Sequence, residues 1–317
     1  MEFETEVIAP SRAEVEKPET EIGRGAGYLF IFGAAALWGS MGLFFTVLHE
    51  RFHLSALNIA FLRAAVPALI LLVSLGIFRR SLLNIPREAL VRYVAFGFFG
   101  VALFYILAVQ GVILTSVATA SVLLYTAPAF VTLFAWRMWH EPITGRKLAA
   151  LVGAFAGCAL VARAYDPAQL SLNWVGILVA TLAGLGYATF TVFSKASTRQ
   201  PPWTTITYSL LFGALFLLPL QFWEIGQATG ESLAPLVVEP FSWVWVAGLA
   251  FGPTLGSYIL YNTGLRRVPA SNASIVATIE PVVAGVLGFI LLNQTLEPLQ
   301  ILGGAMVVGA AFWLTRG

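Results

Sequence analysis

The chain has 317 residues, 58% of them hydrophobic and only 11% charged, with a mean hydropathy of +0.83 and a net charge of +2. Soluble domains carry about a quarter charged residues, so this composition excludes an ordinary soluble fold, and the near-neutral balance gives no reason to expect nucleic acid as a partner. A single cysteine, Cys158, excludes an intrachain disulfide and reads as a small buried apolar side chain.

Residues 1–27 are polar and acidic, with seven glutamates and no apolar core of a signal peptide, and are expected to be a disordered cytoplasmic tail. Ten apolar runs come next, at roughly 28–48, 56–78, 91–113, 117–138, 147–164, 174–196, 204–223, 241–264, 271–293 and 299–316. A bilayer core roughly 30 Å thick needs about 20 such residues in a helix. The runs lack the polar/apolar alternation of barrel strands, so the fold class is all-α, integral to the membrane, with ten transmembrane helices.

The first run carries Trp38 too deep for an interfacial anchor, leaving core packing or a cavity wall. Between the first two runs, His49-Glu50-Arg51-Phe52-His53 matches the zinc-protease pattern H-E-x-x-H. A catalytic zinc needs a third protein ligand, and the remaining histidine, His140, falls across the membrane. No metal and no cofactor are therefore expected, and an intramembrane metalloenzyme is the weaker alternative class. Arg63 lies about two turns into the second run, where a charge is costly and marks a functional site or a structural bond to helix-end carbonyls.

Further along, polar residues recur at helical spacing. The fourth run offers Ser121, Tyr125, Pro128 and Thr132; the sixth Gly184, Tyr187, Thr191 and Lys195; the eighth Thr254, Tyr258, Tyr261 and Asn262; the ninth Ser271, Ser274, Thr278, Pro281 and Gly285. Such groups face protein or water rather than lipid, as a cavity lining or as interhelical packing. Lys195 is expected to snorkel to the headgroups, and Trp203 and Trp223 to anchor the seventh run at the interfaces. Glu280 sits near the midplane, but in a regular helix it would share a face with Ala273, Ala277 and Ala284. It reaches a cavity only if the helix unwinds near Pro281.

Placing the N-terminus in the cytoplasm puts Arg12, Lys17, Arg24, Arg79, Arg80, Arg87, Arg92, Arg137, Arg146, Lys147, Lys195, Arg199, Arg266, Arg267 and Arg316 inside, and only Arg51 and Arg163 outside. Both termini are accordingly expected to be cytoplasmic. A shift of 153 residues brings Tyr105-Ile106-Leu107 onto Tyr258-Ile259-Leu260, Gly111 onto Gly264 and Pro128 onto Pro281. A shift of 149 brings Trp38-Gly39 onto Tyr187-Ala188. Because each half holds five spans, an odd number, the halves enter the membrane from opposite sides. Inverted repeats are common in transporters, with the substrate at their interface. The matched prolines, Pro128 and Pro281, are expected to be helix breaks or hinges.

These residues resemble the EamA family of the drug/metabolite transporter superfamily over about residues 28–316. Trp38-Gly39, Arg63, the segment ending in Pro128, His140-Glu141-Pro142-Ile143-Thr144 and Glu280-Pro281 carry the resemblance; Asn293-Gln294 stands where the family pattern has Gly-Glu. It implies repeats over 28–165 and 174–316, a central cavity lined by helices one to four and six to nine, and helices five and ten as peripheral scaffold. Within the family the chain looks most like aromatic or neutral amino-acid exporters, with other metabolites or drugs as the alternative. The expected function is secondary export or exchange of small metabolites across a bacterial inner membrane, by a monomer or homodimer, with proton or substrate counter-transport. The expected substrate-binding residues are Trp38, Arg63, Tyr105, Tyr125, Tyr187, Tyr258, Asn262 and Glu280.

Overall fold

The computed structural model describes residues 21–171, 173–226, 233, 235–291 and 293–316. The greater part of the expected tail, residues 1–20, lies outside them, as does the side chain of Trp223. Residues 21–27, expected in that tail, are already helical. The helix starts early because Gly27 packs directly on the end of the eighth helix, where a Cβ would lie 2.8 Å from Arg267 and Val268 side-chain atoms.

Nine helices are long and apolar enough to cross a membrane among the described residues. Labelled in chain order with the shorter fifth helix included, they are α1 (Gly23–Arg51), α2 (Ala56–Phe78), α3 (Arg87–Leu114), α4 (Val117–Trp139), α5 (Gly145–Val161), α6 (Trp174–Ala196), α7 (Pro202–Phe222), α8 (Ser242–Leu265), α9 (Ala270–Leu291) and α10 (Pro298–Thr315). At 17 residues, α5 still rises about 25 Å, the lower limit for a span. The protein is thus a multi-pass membrane protein of ten helices in two inverted five-helix repeats. Helix α1 begins and α10 ends on one face, the terminal face; the connections from α1 to α2 and from α9 to α10 lie on the opposite face.

The helices start where side chains satisfy their first backbone donors. Ser55 caps α2 through Asn58 N, Thr144 caps α5 through Lys147 N, and Asn173 caps α6 through Val175 N and Gly176 N. Helices α5 and α10 pack chiefly on each other, with Gly157 and Gly303 letting their backbones meet. Their ends are tied at the opposite face, where Arg163 and Glu297 pair at 2.5 Å and Tyr165 donates to Glu297 at 2.5 Å. That carboxylate holds the Tyr165 phenol above its ordinary range.

The repeat is written into the irregularities of the backbone. Helix α4 breaks at Tyr125-Thr126 and α9 at Thr278-Ile279, positions 153 residues apart. In each, the proline stands in the first turn of the resumed helix, where its missing N–H leaves nothing unpaired, and the break precedes it. Wider π-helical turns occupy Phe96–Leu103 in α3 and Ala250–Gly256 in α8, again in register. Helices α4 and α9 end on left-handed residues, His140 (φ 56°) and Asn293 (φ 52°), also 153 apart.

Candidate functional site

A cavity of about 310 Å³ lies at mid-depth between the halves. That is at the small end of ligand pockets, the scale of a small metabolite. Its walls come from α1 (Trp38, Met41, Phe45), α2 (Ala56, Ala60, Arg63), α3 (Phe104, Tyr105, Ala108, Val109, Val112, Ile113), α4 (Leu124), α6 (Tyr187, Phe190), α8 (Tyr258) and α9 (Glu280). Phe45, Ala56 and Ile113 stand at the ends of their helices nearest the opposite face, so the cavity extends that way. Toward the terminal face Ile31, Ala34, Ala35, Tyr261 and Leu265 are completely buried and form a plug.

Glu280 reaches the cavity because α9 is broken. Two turn residues, Thr278 and Ile279, interrupt the helical phase, so Glu280 leaves the alanine face that a continuous helix would give it. The Thr278 hydroxyl donates to Ile275 O at 2.6 Å and satisfies part of the opened backbone. Glycine at position 39 brings α1 against this junction, since a Cβ there would lie 2.8 Å from Glu280 O and 2.7 Å from Val283 Cβ. The Trp38-Gly39 pair therefore does two jobs: the glycine seats α1 on the α9 break, and the indole faces the cavity.

Arg63 is held by an aromatic ring, and no carboxylate forms an ion pair with it among the described residues. Its guanidinium carbon lies 4.5 Å from the centre of the Tyr105 ring, in cation–π contact. The Tyr105 and Tyr258 hydroxyls are 2.7 Å apart. Trp38 makes edge contacts with Tyr187 at 5.9 Å and Tyr258 at 6.2 Å, and Phe104 stacks on Tyr187 at 5.7 Å. Arg63 Nε and the Tyr187 hydroxyl are buried with no hydrogen-bond partner among the described residues. Buried polar atoms are nearly always paired, so two unpaired donors beside one cavity mark places where a ligand can bond.

Six of the eight residues singled out from the sequence line this cavity: Trp38, Arg63, Tyr105, Tyr187, Tyr258 and Glu280. Tyr125 and Asn262 do not. Tyr125 belongs to the α4 break and is buried, and Asn262 is turned back along α8, its amide donating to Tyr258 O at 2.9 Å. The sequence missed the apolar wall of Ala108, Val109 and Val112, which carries no signal apart from α3 itself, and Phe190, which lies one turn from Tyr187. Lys195 does not simply snorkel: its ammonium donates to Leu265 O at 2.7 Å and Val268 O at 3.0 Å, where it caps the end of α8.

The H-E-x-x-H segment does not form the one-faced pair its pattern suggests. His49 lies in a π-helical turn with Nδ1 2.9 Å from Leu54 O, and His53 is outside the helix in a left-handed conformation (φ 53°). Cys158 is fully buried, its Sγ 3.8 Å from Thr278 O behind the α9 break.

Comparison with known proteins agrees with this architecture. The model of the EamA-like transporter family matches twice, over residues 25–163 and 174–316. An uncharacterised transporter of Archaeoglobus fulgidus is 34% identical over 226 residues, covering 70% of this chain and 74% of its own. A probable terminal-alkyne amino-acid exporter of Streptantibioticus cattleyicolor is 26% identical over 83% of this chain and 82% of its own. A solved crystal structure, 18% identical, shares the fold with a TM-score of 0.76 over 92% of this chain and 97% of that one.

Proposed function

Since the chain belongs to the EamA-like transporter family, we propose that it is a secondary exporter or exchanger of amino acids, including aromatic or neutral ones, in a plasma membrane. The observation that carries this reading is the pairing of Arg63 and Glu280 on one small aromatic cavity. A zwitterion carries both countercharges within one short backbone. Its carboxylate matches the planar, permanently charged fork of Arg63, and its ammonium matches Glu280 and the faces of the surrounding rings. The Ala108, Val109 and Val112 wall then receives an apolar side chain toward the mouth. The Streptantibioticus relative, named for amino-acid export, supports the same substrate class.

Lys and Arg crowd the loops on the terminal face, so that face is assigned to the cytoplasm and the cavity faces outward. Transport would proceed by rocking of the repeat-derived bundles around the central site, with the matched breaks at Pro128 and Pro281 as hinges. The repeats are assigned to residues 28–165 and 174–316. Reconstituted protein should move apolar and aromatic amino acids in proteoliposomes, tested against a metabolite panel with and without a pH gradient. Movement of other metabolites but no amino acid would refute the substrate assignment.

A further inference from the structure

Glu141 joins the two halves at the terminal face. One carboxylate oxygen accepts from Ala270 N at 2.8 Å; the other accepts from Ser271 N at 3.2 Å and from the Ser271 hydroxyl. The side chain is only 11% exposed, with the Lys147 ammonium 3.8 Å away. A carboxylate on the first backbone donors of α9 is a charge-assisted contact favoured by the helix dipole. It clamps the end of α4 to the start of α9, below the cavity floor.

The repeat supplies a counterpart at the opposite face. Glu141 N bonds Ala135 O at 3.3 Å, and Gln294 N bonds Gly288 O at 3.1 Å; both donors and both acceptors are 153 residues apart. With His140 and Asn293 alike left-handed, Gln294 leaves α9 as Glu141 leaves α4. Yet among the described residues Gln294 makes no such clamp. Its side chain lies over Gly288, and the start of α4 is capped by its own Ser116, which accepts from Thr119 N at 3.1 Å. The latch is closed on the face where the cavity is plugged and open on the face toward which the cavity extends. Inverted repeats exchange roles when access alternates, so the outer gate closes when Gln294 meets Val117 and Ala118, the counterparts of Ala270 and Ser271. There the contact is weaker. An amide offers one acceptor oxygen and no charge, and Ala118 lacks the hydroxyl of Ser271.

We infer that Glu141 is the latch of the cytoplasmic gate, and that its unequal match with Gln294 makes the outward-open state the resting state. This rests on the transporter reading and its orientation. The test uses the full chain in sealed vesicles of both orientations, in a Cys158→Ala background. A membrane-impermeant thiol reagent reports a cysteine at Ser274 from the cytoplasmic face, or at Ala56 from the outer face. Glu141→Gln should raise the Ser274→Cys rate about tenfold and lower the Ala56→Cys rate. The pair Gln294→Glu with Ala118→Ser, which leaves Glu141 intact, should shift both rates in the same two directions. Loosening of the fold would instead raise both rates, which separates it from a shift between states. Unchanged rates, or a rise at both reporters in both variants, would overturn the latch. Labelling needs no substrate, so the reciprocal shift in a protein that moves no amino acid would uphold the latch and reject only the substrate.

Discussion

The hydroxyls of Tyr105 and Tyr258 touch at 2.7 Å, and each residue is the other's counterpart under the 153-residue shift that relates the two halves. Two equivalent positions can meet only close to the axis that interchanges them, so the pair marks the pseudo-two-fold axis at the centre of the cavity. Around it the frame is symmetric and the chemistry is not. Arg63 corresponds to Phe212 under the 149-residue shift, and Glu280 to Ala127 under the 153-residue shift. Each half supplies one charge.

The tyrosine pair should behave as a unit. Tyr105→Phe and Tyr258→Phe each remove the same hydrogen bond, worth about 0.5–1.5 kcal/mol. The double variant should therefore lose substrate affinity by less than the sum of the single losses in a double-mutant cycle. Strict additivity would mean that the hydroxyls do not act together.

The two charges should be indispensable to transport but not to folding. Glu280→Gln keeps shape and hydrogen-bonding capacity while losing the charge, and should leave folded yield near wild type while abolishing gradient-driven transport. Arg63→Lys keeps the charge but loses the planar fork, and should weaken carboxylate binding by about tenfold or more. Wild-type transport with an unchanged pH profile in Glu280→Gln would remove Glu280 from the site.

Gly39 should tolerate no side chain. Even a methyl group would meet Glu280 O at 2.8 Å and Val283 Cβ at 2.7 Å, both on a packed helix junction. Gly39→Ala should lower thermal stability by about 1–3 kcal/mol, and Gly39→Val more, with transport falling in parallel as Glu280 is displaced. A melting curve and an uptake assay on the purified variants check this.

His49→Ala and His53→Ala should leave transport largely intact. His49 Nδ1 bonds the Leu54 carbonyl in the loop, and His53 stands outside the helix. Stoichiometric zinc that disappears with either substitution, together with activity, would instead support the metalloenzyme.

Reporter fusions at residues 1 and 317 should both read cytoplasm, because basic residues crowd the terminal face. An external C-terminus would reverse the assigned direction of the cavity.

Much of the frame was legible because membrane insertion makes the signal strong: long apolar runs, and prolines in register between the two halves. The site was less so. Glu280 was visible as an intramembrane charge, but its direction depended on two turn residues, Thr278 and Ile279, that resemble any others in a helical run. Asn262 resembled a cavity residue because periodicity gives a face and not the bond to Tyr258 O that occupies it. Lys195 and Glu141 were both in view at helix ends, yet their partners are backbone groups of other helices, 70 and about 130 residues away, and backbone groups leave no mark in sequence.

Recognition of a zwitterion by Arg63 and Glu280 is tested most directly by binding of charge-edited ligands to the purified protein, a readout that remains in variants that no longer transport. Radiolabelled phenylalanine should be displaced by unlabelled phenylalanine, but at least about tenfold less well by its amide and its decarboxylated amine, which lack the carboxylate, and by its N-acetylated form, which lacks the ammonium. In Arg63→Gln the intact amino acid should lose its advantage over the amide, and in Glu280→Gln its advantage over the N-acetylated form. Equal displacement by all four ligands in the wild-type protein would contradict the account.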